Sequence, residues 1–548
     1  MSDDPNEPAV PGGAANEIAA FRKLIQGDNL PPVDRIALVD QALLLIDRIY
    51  VHLRQKREIY RIDPQARLRL LRSRAAEMTD AEFHAELLQT FVELRDLHTI
   101  YILPTPYLGP VAFLGILLEQ YFLENDNNPH WMVSKVYDKI TGDTGLERGS
   151  EVVEWNGVPI AEAVIRNGER EPGSNPAARR ARGMERMTMR KLAVSPVPGE
   201  DWVDLVHLVG GVRRPVRLPW RVLRQDQLDE LAPGIDIAVG APLGAQDENP
   251  LLAQTVGLDV RTEAVRQVKK QLFDGAPMPG EILSFRAREV RARRVPTPDG
   301  DYGYLRIYSF YMKDEQVDAF FEEVQRLVGL LPENGLIIDV RGNGGGYINA
   351  AEFLLRFFTP REIHPEPMQL ISSEVTLDLC RNVAGLHPWV ESIQESIQAA
   401  APYSDGIALW TQDEVNSSGQ IYNAPVVLVT DALCYSATDM FAAGFQDNKL
   451  GWVLGTDDTT GAGGANVWTH RDLREAWPDG PFTALPNDAQ FSVALRRSLR
   501  VGNLAGQPLE DFGVRADERH KLTRRDLLEY NADLIGRAIE LLRGPQPS

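Results

Sequence analysis

The N-terminal part of the chain carries the hydrophobic periodicity of amphipathic helices. After a Pro-Pro pair, apolar residues recur at spacings of three and four, which predicts a helix with one apolar face. A capping box at Thr79 and Glu82 predicts the start of a second helix. We therefore expect a helical domain over residues 17–105, after a disordered, Pro/Gly-rich stretch at residues 1–16. The two apolar faces consist of Ile36, Val39, Leu43, Ile46, Tyr50 and Leu53, and of Phe83, Leu87, Phe91 and Leu94.

Short apolar runs separated by turn signals follow this region. Asn156 and Gly157 stand between two such runs, and this dipeptide predicts a hairpin turn. The pattern predicts a β domain over residues 106–225, which a polar insertion near residues 166–200 interrupts. Its predicted strands are Phe113–Glu119, Trp131–Val136 and the closing strands within residues 203–220.

From residue 300 onward, predicted strands alternate with predicted helices. Such alternation is typical of an α/β fold with a mainly parallel sheet, and we expect this core over residues 300–545. Two less regular stretches are interpreted as an insertion or cap, at residues 226–299, and as a long excursion from the core, at residues 359–421. The predicted core elements are strands at 303–309, 335–346 and 425–430 and helices at 313–329, 350–358 and 523–542.

Composition narrows the class of protein. The 548 residues carry 43% hydrophobic and 25% charged side chains, which is typical of a soluble protein with several compact units. A net charge of −20 disfavours nucleic acid and anionic membranes as partners. Two cysteines are too few for a disulfide framework or a zinc cluster. Without a signal-peptide pattern or a long apolar run, we expect a cytoplasmic protein, unless it is exported without a cleaved signal.

Two strand ends carry groups that suit acyl transfer. The strand that begins at Gly335 breaks into the glycine-dense turn Gly342–Gly346, which can deliver backbone N–H groups to a surface. The strand Pro425–Thr430 precedes Ser436, which opens a helical run. A serine at a helix start is commonly only an N-cap, but the helix dipole and nearby N–H groups there can also stabilise an oxyanion. The two strand ends therefore predict a nucleophile and oxyanion donors, and they lack a base.

Four segments in this order resemble the tail-specific, C-terminal-processing serine proteases. The resemblance implies a crotonase-like β/α spiral core, polypeptide substrates and no metal or organic cofactor. Residues 145–160 resemble part of a PDZ domain, with Ser150 in place of the usual aspartate and Trp155 in place of an aliphatic residue. The four segments are YGYLRIYSF, GLIIDVRGNGGG, PVVLVTDALCYSATDMFAAGFQDN and GQPLEDFGVRAD.

The resemblance assigns roles to residues near the two strand ends. The nucleophile falls on Ser436, and the oxyanion donors fall on the N–H of Ala437 and of a glycine in the Gly344–Gly346 run, where we favour Gly345. Typical members use a lysine base, but Ala462 occupies that position here. Lys449, the nearest lysine, is predicted to face solvent, so a Ser–Lys mechanism is not expected.

The tricorn-like branch, which includes the chlamydial protease-like activity factor, supplies its base differently. His98 in Asp96-Leu-His-Thr99 resembles the D-x-H-T segment of that branch. Imidazole suits the task because its unperturbed pKa near 6.5 lets it accept and return a proton at neutral pH. The same resemblance gives Glu510 the role of orienting the imidazole, with Asp511 as the fallback.

These observations predict a serine endopeptidase that cleaves unfolded or tailed polypeptides through an acyl-enzyme. One alternative is a catalytically degenerate scaffold that binds peptides through its PDZ-like module, which loss of the lysine would favour. A crotonase-type acyl-CoA enzyme is disfavoured by the PDZ-like insertion and by a serine at the helix start. The sequence leaves open the physiological substrate and whether the chain forms a homo-oligomer.

Overall fold

The computed structural model describes residues 16–27, 30–223, 279–312 and 316–547. The predicted disordered stretch therefore lies outside the described residues except for Asn16, and the predicted insertion does so up to residue 278. Among the described helices, none is long and apolar enough to cross a membrane.

The N-terminal region is helical, as its periodicity predicts, but the first of the two predicted helices, Pro32–Arg48, is shorter than expected. That helix ends at Arg48, and Tyr50 is buried in the turn before the next helix. The turn forms because Val51 N–H leaves the helical pattern and donates to Ala494 O at 3.1 Å. The predicted capping box of Thr79 and Glu82 is present. The helices of this region are Ile18–Leu24, Pro32–Arg48, Leu53–Tyr60, Pro64–Arg74 and Asp80–Val92.

A seven-stranded sheet, called here the core sheet, organises the C-terminal half of the described chain. In spatial order, each of the first three strands is antiparallel to its neighbour among them. The remaining pairings are parallel. The central strands are apolar on both faces because helices cover both sides, as is usual for buried parallel strands. The α/β class is thereby confirmed. In spatial order the strands are Glu281–Ile282, Val290–Val295, Tyr302–Ile307, Leu336–Asp339, Val426–Thr430, Gly451–Gly455 and Glu518–Arg519.

A second, five-stranded sheet, called here the bridging sheet, joins the N-terminal region to the C-terminal half. Ile100–Ile102 pairs antiparallel with Gln490–Ser498, so that Ile100 lies opposite Ser492. This pairing brings the segment that follows the last N-terminal helix onto a strand that lies in the chain between the sixth and seventh strands of the core sheet. The other strands are Pro367–Leu370, Ile407–Ala408 and Ala465–Thr469.

Two further antiparallel sheets occupy the predicted β domain, and they correct one predicted strand. The run Phe113–Glu119 is divided between them, because Gly115 adopts a positive φ of 78°. A Cβ at Gly115 would lie 2.8 Å from side-chain atoms of Ile140 and Thr141, so only glycine fits this bend. One sheet contains Asn16–Glu17, Val111–Phe113, Met189–Lys191 and Arg221–Leu223. The other contains Ile116–Tyr121, His130–Val136, Glu151–Trp155, Val158–Pro159, Trp202–Val209 and Val212–Pro219.

Several predicted elements differ in their bounds. The last predicted helix is broken, because Tyr530 and Asn531 both adopt positive φ angles. The polar stretch near residues 166–200 contains helix Pro176–Thr188, and strands at 281–295 join the core sheet ahead of the expected start at residue 300. The remaining helices are Asp138–Thr141, Ile160–Gly168, Pro176–Thr188, Val317–Val328, Ile348–Glu352, Glu374–Asn382, Val390–Gln398, Gln412–Val415, Ala437–Asp447, His470–Ala476, Arg524–Leu528 and Ala532–Arg543. Short 3₁₀ helices span Phe353–Phe358, Ala384–Trp389, Pro486–Asp488 and Gly502–Leu504.

Truncation in the centre of the core sheet should destabilise the protein. Leu428 is 0% exposed and lies between Ile338 and Val453 of the neighbouring strands. We expect Leu428→Ala to lower the free energy of unfolding by about 2–5 kcal/mol, because it leaves a cavity. Leu70→Ala, at a position 57% exposed, should change it by less than about 0.5 kcal/mol. Chemical denaturation of both variants checks this, and equal effects would contradict the packing described.

Candidate active site

The predicted nucleophile lies on a strained turn. Ser436 has φ 60° and ψ −127°, the conformation of the first central residue of a type II′ turn. The turn is closed by Thr438 N–H, which donates to Tyr435 O at 3.1 Å. For a residue with a side chain, such a conformation costs about 1–3 kcal/mol and persists only where the surroundings enforce it. The strain is therefore consistent with a functional position directly before helix Ala437–Asp447.

Both predicted oxyanion donors lie beside Ser436. Ala437 is the first residue of its helix, so its N–H has no intrahelical acceptor. A Cβ on Gly345 would lie 2.6 Å from Ser436 Cβ and 2.8 Å from Ala437 N, so the glycine backbone packs directly against the turn. The N–H of Gly345 itself donates to Asn343 Oδ1 at 2.9 Å. The structure thus brings the glycine loop to Ser436, with the Gly345 amide held by a neighbouring side chain.

His98, the predicted base, lies next to the Ser436 turn, although it is more than three hundred positions away in the sequence. Its backbone N–H donates to Asp96 Oδ1 at 2.7 Å, and its carbonyl accepts from Ser492 Oγ at 2.7 Å. The His98 ring is buried, and its centroid lies 4.6 Å from the ring centroid of Tyr435. Because Tyr435 directly precedes Ser436, this contact places the imidazole next to the nucleophile turn.

Tyr435 is the residue on which these segments meet, and sequence reasoning did not single it out. Its hydroxyl accepts from Leu97 N–H at 3.2 Å, and its ring is fully buried. The guanidinium of Arg182 lies 5.2 Å from the ring centroid, within cation–π range. A Cβ on Gly463 would lie 2.1 Å from the ring, so the loop that follows strand Gly451–Gly455 also packs against the ring. Tyrosine next to a serine carries no sequence signal for this role, since its partners are distant in the chain.

The predicted orienting carboxylates lie in a buried ionic cluster. Lys56 Nζ donates to Glu510 Oε1 at 2.5 Å and to Asp511 Oδ1 at 2.6 Å. Ser174 Oγ also donates to Glu510 Oε1, at 2.9 Å. Lys56 was not predicted, because it stands among the charged residues of helix Leu53–Tyr60, where a lysine is expected to face solvent.

A second histidine, His52, lies close to Glu510. Its Nε2 is 3.9 Å from Glu510 Oε2, which is beyond hydrogen-bond distance. Among the described residues, neither ring nitrogen of His52 has a hydrogen-bond partner, and neither does Glu510 Oε2. His52, Asp96 and Glu510 could each offer a ligand atom to a metal ion, and these atoms lie within 4.8 Å of one another. Because the ammonium of Lys56 already binds Glu510, we interpret the group as an ion-pair cluster.

Burial and neighbouring charges have opposite effects on the pKa values of the groups in this cluster. Burial raises the pKa of Glu510 well above its usual value, and the ammonium of Lys56 opposes the rise. Burial alone would lower the pKa of Lys56, but the carboxylates of Glu510 and Asp511 raise it. Burial lowers the pKa of His52 well below its usual value, although Asp96 opposes this. Burial would raise the pKa of Asp96, but the neighbouring His52, Lys56 and His98 lower it. At neutral pH, Lys56 is therefore charged and His52 is neutral.

The position that holds a lysine in typical relatives cannot readily accept one here. Ala462 is fully buried and adopts a positive φ of 62°. Its N–H and that of Gly463 donate to Asp439 at 3.2 and 2.8 Å, and burial raises the pKa of Asp439 to about 6. Lys449 is half-buried and follows the far end of helix Ala437–Asp447, about 16 Å from its start at 1.5 Å per residue. It is thus partly exposed to solvent, and its distance from Ser436 agrees with a role outside the site.

The family of the C-terminal half follows from comparison with known proteins. Residues 301–491 match the model of peptidase family S41. This part of the chain is a peptidase family S41 domain. The match supports a serine-type peptidase, which is the class of enzyme that the four ordered segments predict. The matched span contains Gly345, Ser436 and Ala437, whereas His98 and Glu510 lie outside it.

Solved structures show the same overall fold beyond the S41 domain. Mature CPAF superposes with a TM-score of 0.64 at 16% sequence identity, covering 93% of this chain and 98% of that one. Mature CPAF complexed with lactacystin gives a TM-score of 0.64 at 15% identity, with 93% and 99% coverage. No curated protein matches this chain in sequence. At such low identity, the likeness establishes the fold alone.

The packing of the glycine loop against the Ser436 turn can be tested within one loop. Gly345→Ala should lower peptidase activity by about a hundredfold or more, because the new Cβ displaces the Ser436 turn and the Ala437 amide. Gly342→Ala is the matched control, since Gly342 also has a positive φ but has open space around its Cβ position. Rates with a chromogenic peptide, alongside circular dichroism, measure the effect. Equal activities for the two variants would contradict the geometry.

Proposed function

We propose that this protein is a serine endopeptidase in which Ser436 is the nucleophile, His98 the general base and Glu510 the group that supports the imidazole. The observation that carries the proposal is the contact of the His98 ring with Tyr435, next to the strained Ser436 turn. Two residues separated by more than three hundred positions are thereby neighbours at a turn that packs against a glycine loop.

The proposed reaction has two half-reactions. His98 takes the proton of Ser436 Oγ, and the oxygen attacks a peptide carbonyl of the substrate. The N–H of Ala437 stabilises the oxyanion, together with the N–H of Gly345 once it turns from Asn343 to the substrate. His98 then protonates the leaving amine, and water repeats the sequence on the acyl-enzyme. No step requires a metal ion or an organic cofactor.

The hydrogen bonds favour Glu510 over Asp511 as the supporting carboxylate. Asp511 Oδ1 accepts from Lys56 Nζ and Tyr60 Oη, and its Oδ2 accepts from Gln55 Nε2. The side chain of Glu510 accepts hydrogen bonds at Oε1, and its Oε2 has no hydrogen-bond partner among the described residues. A carboxylate oxygen left available in this way can accept a hydrogen bond from an imidazole, directly or through a water molecule. Both carboxylate oxygens of Asp511, by contrast, already accept hydrogen bonds.

The β domain is proposed to act as a PDZ-like module that holds the extended end of a polypeptide substrate. A cavity of about 270 Å³ lies between its sheet and helix Ile160–Gly168. The lining combines apolar side chains such as Trp131 and Val164 with the basic residues Arg180, Arg519 and Lys521. An apolar groove with positive charge suits an extended chain that ends in a carboxylate, held by backbone hydrogen bonds to a sheet edge. This arrangement supports unfolded or tailed polypeptides as substrates.

A scaffold that binds peptides without cleaving them is the competing function, and labelling separates the two. A fluorophosphonate probe should react with Ser436 and with no other serine. Ser436→Ala should reduce peptide hydrolysis by at least about a thousandfold, because the nucleophile is removed, without altering the fold. Peptide mapping by mass spectrometry identifies the labelled residue. Substantial activity in Ser436→Ala would overturn the assignment, and an unlabelled but folded wild-type protein would favour the scaffold.

The identity of the base can be read from the pH dependence. His98 must be neutral to accept a proton, so activity should rise with pH through roughly pH 6–7, near the unperturbed histidine pKa. A lysine base would instead give activity that increases toward alkaline pH. The measurement is kcat/KM of the wild-type protein from pH 5 to 10.

A lysine placed at the position used by typical relatives should not replace the histidine. We expect His98→Ala to lose at least about a hundredfold in kcat, and His98→Ala/Ala462→Lys to remain equally inactive. The reason is that residue 462 is buried at a positive φ, so the new amine would be misplaced. Rescue by Ala462→Lys would show that the Ser–Lys mechanism is native to this scaffold and that His98 is structural.

A further inference from the structure

Lys56 is completely buried and uses its whole hydrogen-bonding capacity. An ammonium group has three N–H donors, and Lys56 Nζ donates to Glu510 Oε1 at 2.5 Å, to Asp511 Oδ1 at 2.6 Å and to Arg95 O at 2.8 Å. A buried lysine is rare unless it is paired. Three short bonds to three different residues indicate a position built around this cation.

The three acceptors connect parts of the chain that the proposed reaction uses. Glu510 and Asp511 follow the last strand of the bridging sheet. Arg95 directly precedes Asp96, whose carboxylate accepts from the backbone N–H of His98 at 2.7 Å. Lys56 therefore links the proposed supporting carboxylate to the segment that carries the proposed base.

The charge of Lys56 also opposes the protonation of Glu510. A carboxylate buried without a cation becomes protonated, because burial disfavours its charged form. A protonated Glu510 could no longer stabilise the imidazolium that forms when His98 takes the serine proton. The groups that face Glu510 from the surrounding segments are Lys56, Ser174, His52, Asp96, Asp511 and Tyr50. Lys56 is the cation among them at neutral pH, since burial lowers the pKa of His52.

We propose that Lys56 is a positioning residue of the peptidase reaction, which opposes the protonation of Glu510 and ties it to the segment carrying His98. This inference rests on the proposed function, because it assigns Lys56 an action through Glu510. It differs from a structural role, in which Lys56 would only stabilise the fold by neutralising Asp511.

The first test compares kinetics at several pH values. Lys56→Met should lower kcat about 10- to 100-fold with KM within about threefold, because the variant alters proton transfer rather than substrate binding. The acid limb of its kcat/KM profile should move upward by about one pH unit or more, since Glu510 loses an opposite charge in direct contact. Lys56→Arg retains the charge and should restore the wild-type profile. An unchanged profile in folded Lys56→Met would overturn the proposal.

Arg500→Met is the matched control for loss of a buried ion pair. Arg500 is 2% exposed and binds Asp447 at 2.6 Å, at the end of the nucleophile helix remote from Ser436. This variant should lower the melting temperature and leave the pH profile of the folded protein unchanged. A shifted profile in Arg500→Met would show that the shift reports general destabilisation, which would contradict the role of Lys56.

The second test asks whether Lys56 acts through Glu510. If it does, Lys56→Met should cause less than about a threefold further loss when Glu510 is already glutamine. If Lys56→Met does not fold, Lys56→Gln/Glu510→Gln can replace it, compared with Glu510→Gln alone. A further loss of tenfold or more in either double variant would overturn the proposal.

Fluorophosphonate labelling separates this proposal from the proposed function. Failure to label Ser436 in the wild-type protein would overturn both. Normal labelling in the wild type, with an unaltered rate and pH dependence of labelling in Lys56→Met, would leave the peptidase assignment intact and overturn the role of Lys56 alone.

Discussion

The antiparallel pairing of Ile100–Ile102 with Gln490–Ser498 is the constraint on which the site depends. It fixes the end of the N-terminal helical region against the C-terminal half, and side chains on both strands reinforce it. Thr99 Oγ1 accepts from Ala494 N–H at 3.0 Å, and Ser492 Oγ donates to His98 O at 2.7 Å. The backbone of His98 is therefore held by a contact with a sheet strand, and such an element positions a side chain more rigidly than a surface loop does.

The other half of the site is held by close packing at the ends of two parallel strands. Leu336–Asp339 leads into the glycine loop and Val426–Thr430 into the Ser436 turn, and the two strands are neighbours in the core sheet. Parallel neighbours end at the same edge, so loop and turn meet there. Gly345 packs directly against the strained turn and the neighbouring Tyr435 ring is buried, and such surroundings can enforce a strained conformation. The proposed site thus lies where the core sheet and the bridging sheet come together.

The parts of this arrangement that local sequence encodes were predictable. The glycine loop, the serine at a helix start and the D-x-H-T segment are short motifs, and each lies where its motif places it relative to a strand or helix. The parts set by distant contacts were not. Helix Pro32–Arg48 ends earlier than its periodicity predicts because Val51 N–H donates to Ala494 O. The predicted strand at Gly115 is divided because Ile140 and Thr141 pack closely against that glycine. Lys56 looked like an ordinary surface lysine, because its two carboxylate partners lie more than four hundred positions away.

The central claim is that the imidazole of His98 serves Ser436, and a structure of the covalent adduct tests it most directly. In crystals of the protein labelled with a fluorophosphonate, a ring nitrogen of His98 should lie within about 3.2 Å of Ser436 Oγ or of an adduct oxygen. Glu510 should then lie on the opposite side of the ring, in contact directly or through one water molecule. An adduct on Ser436 with the His98 ring turned away, and with His52 or another group at that distance instead, would contradict the account.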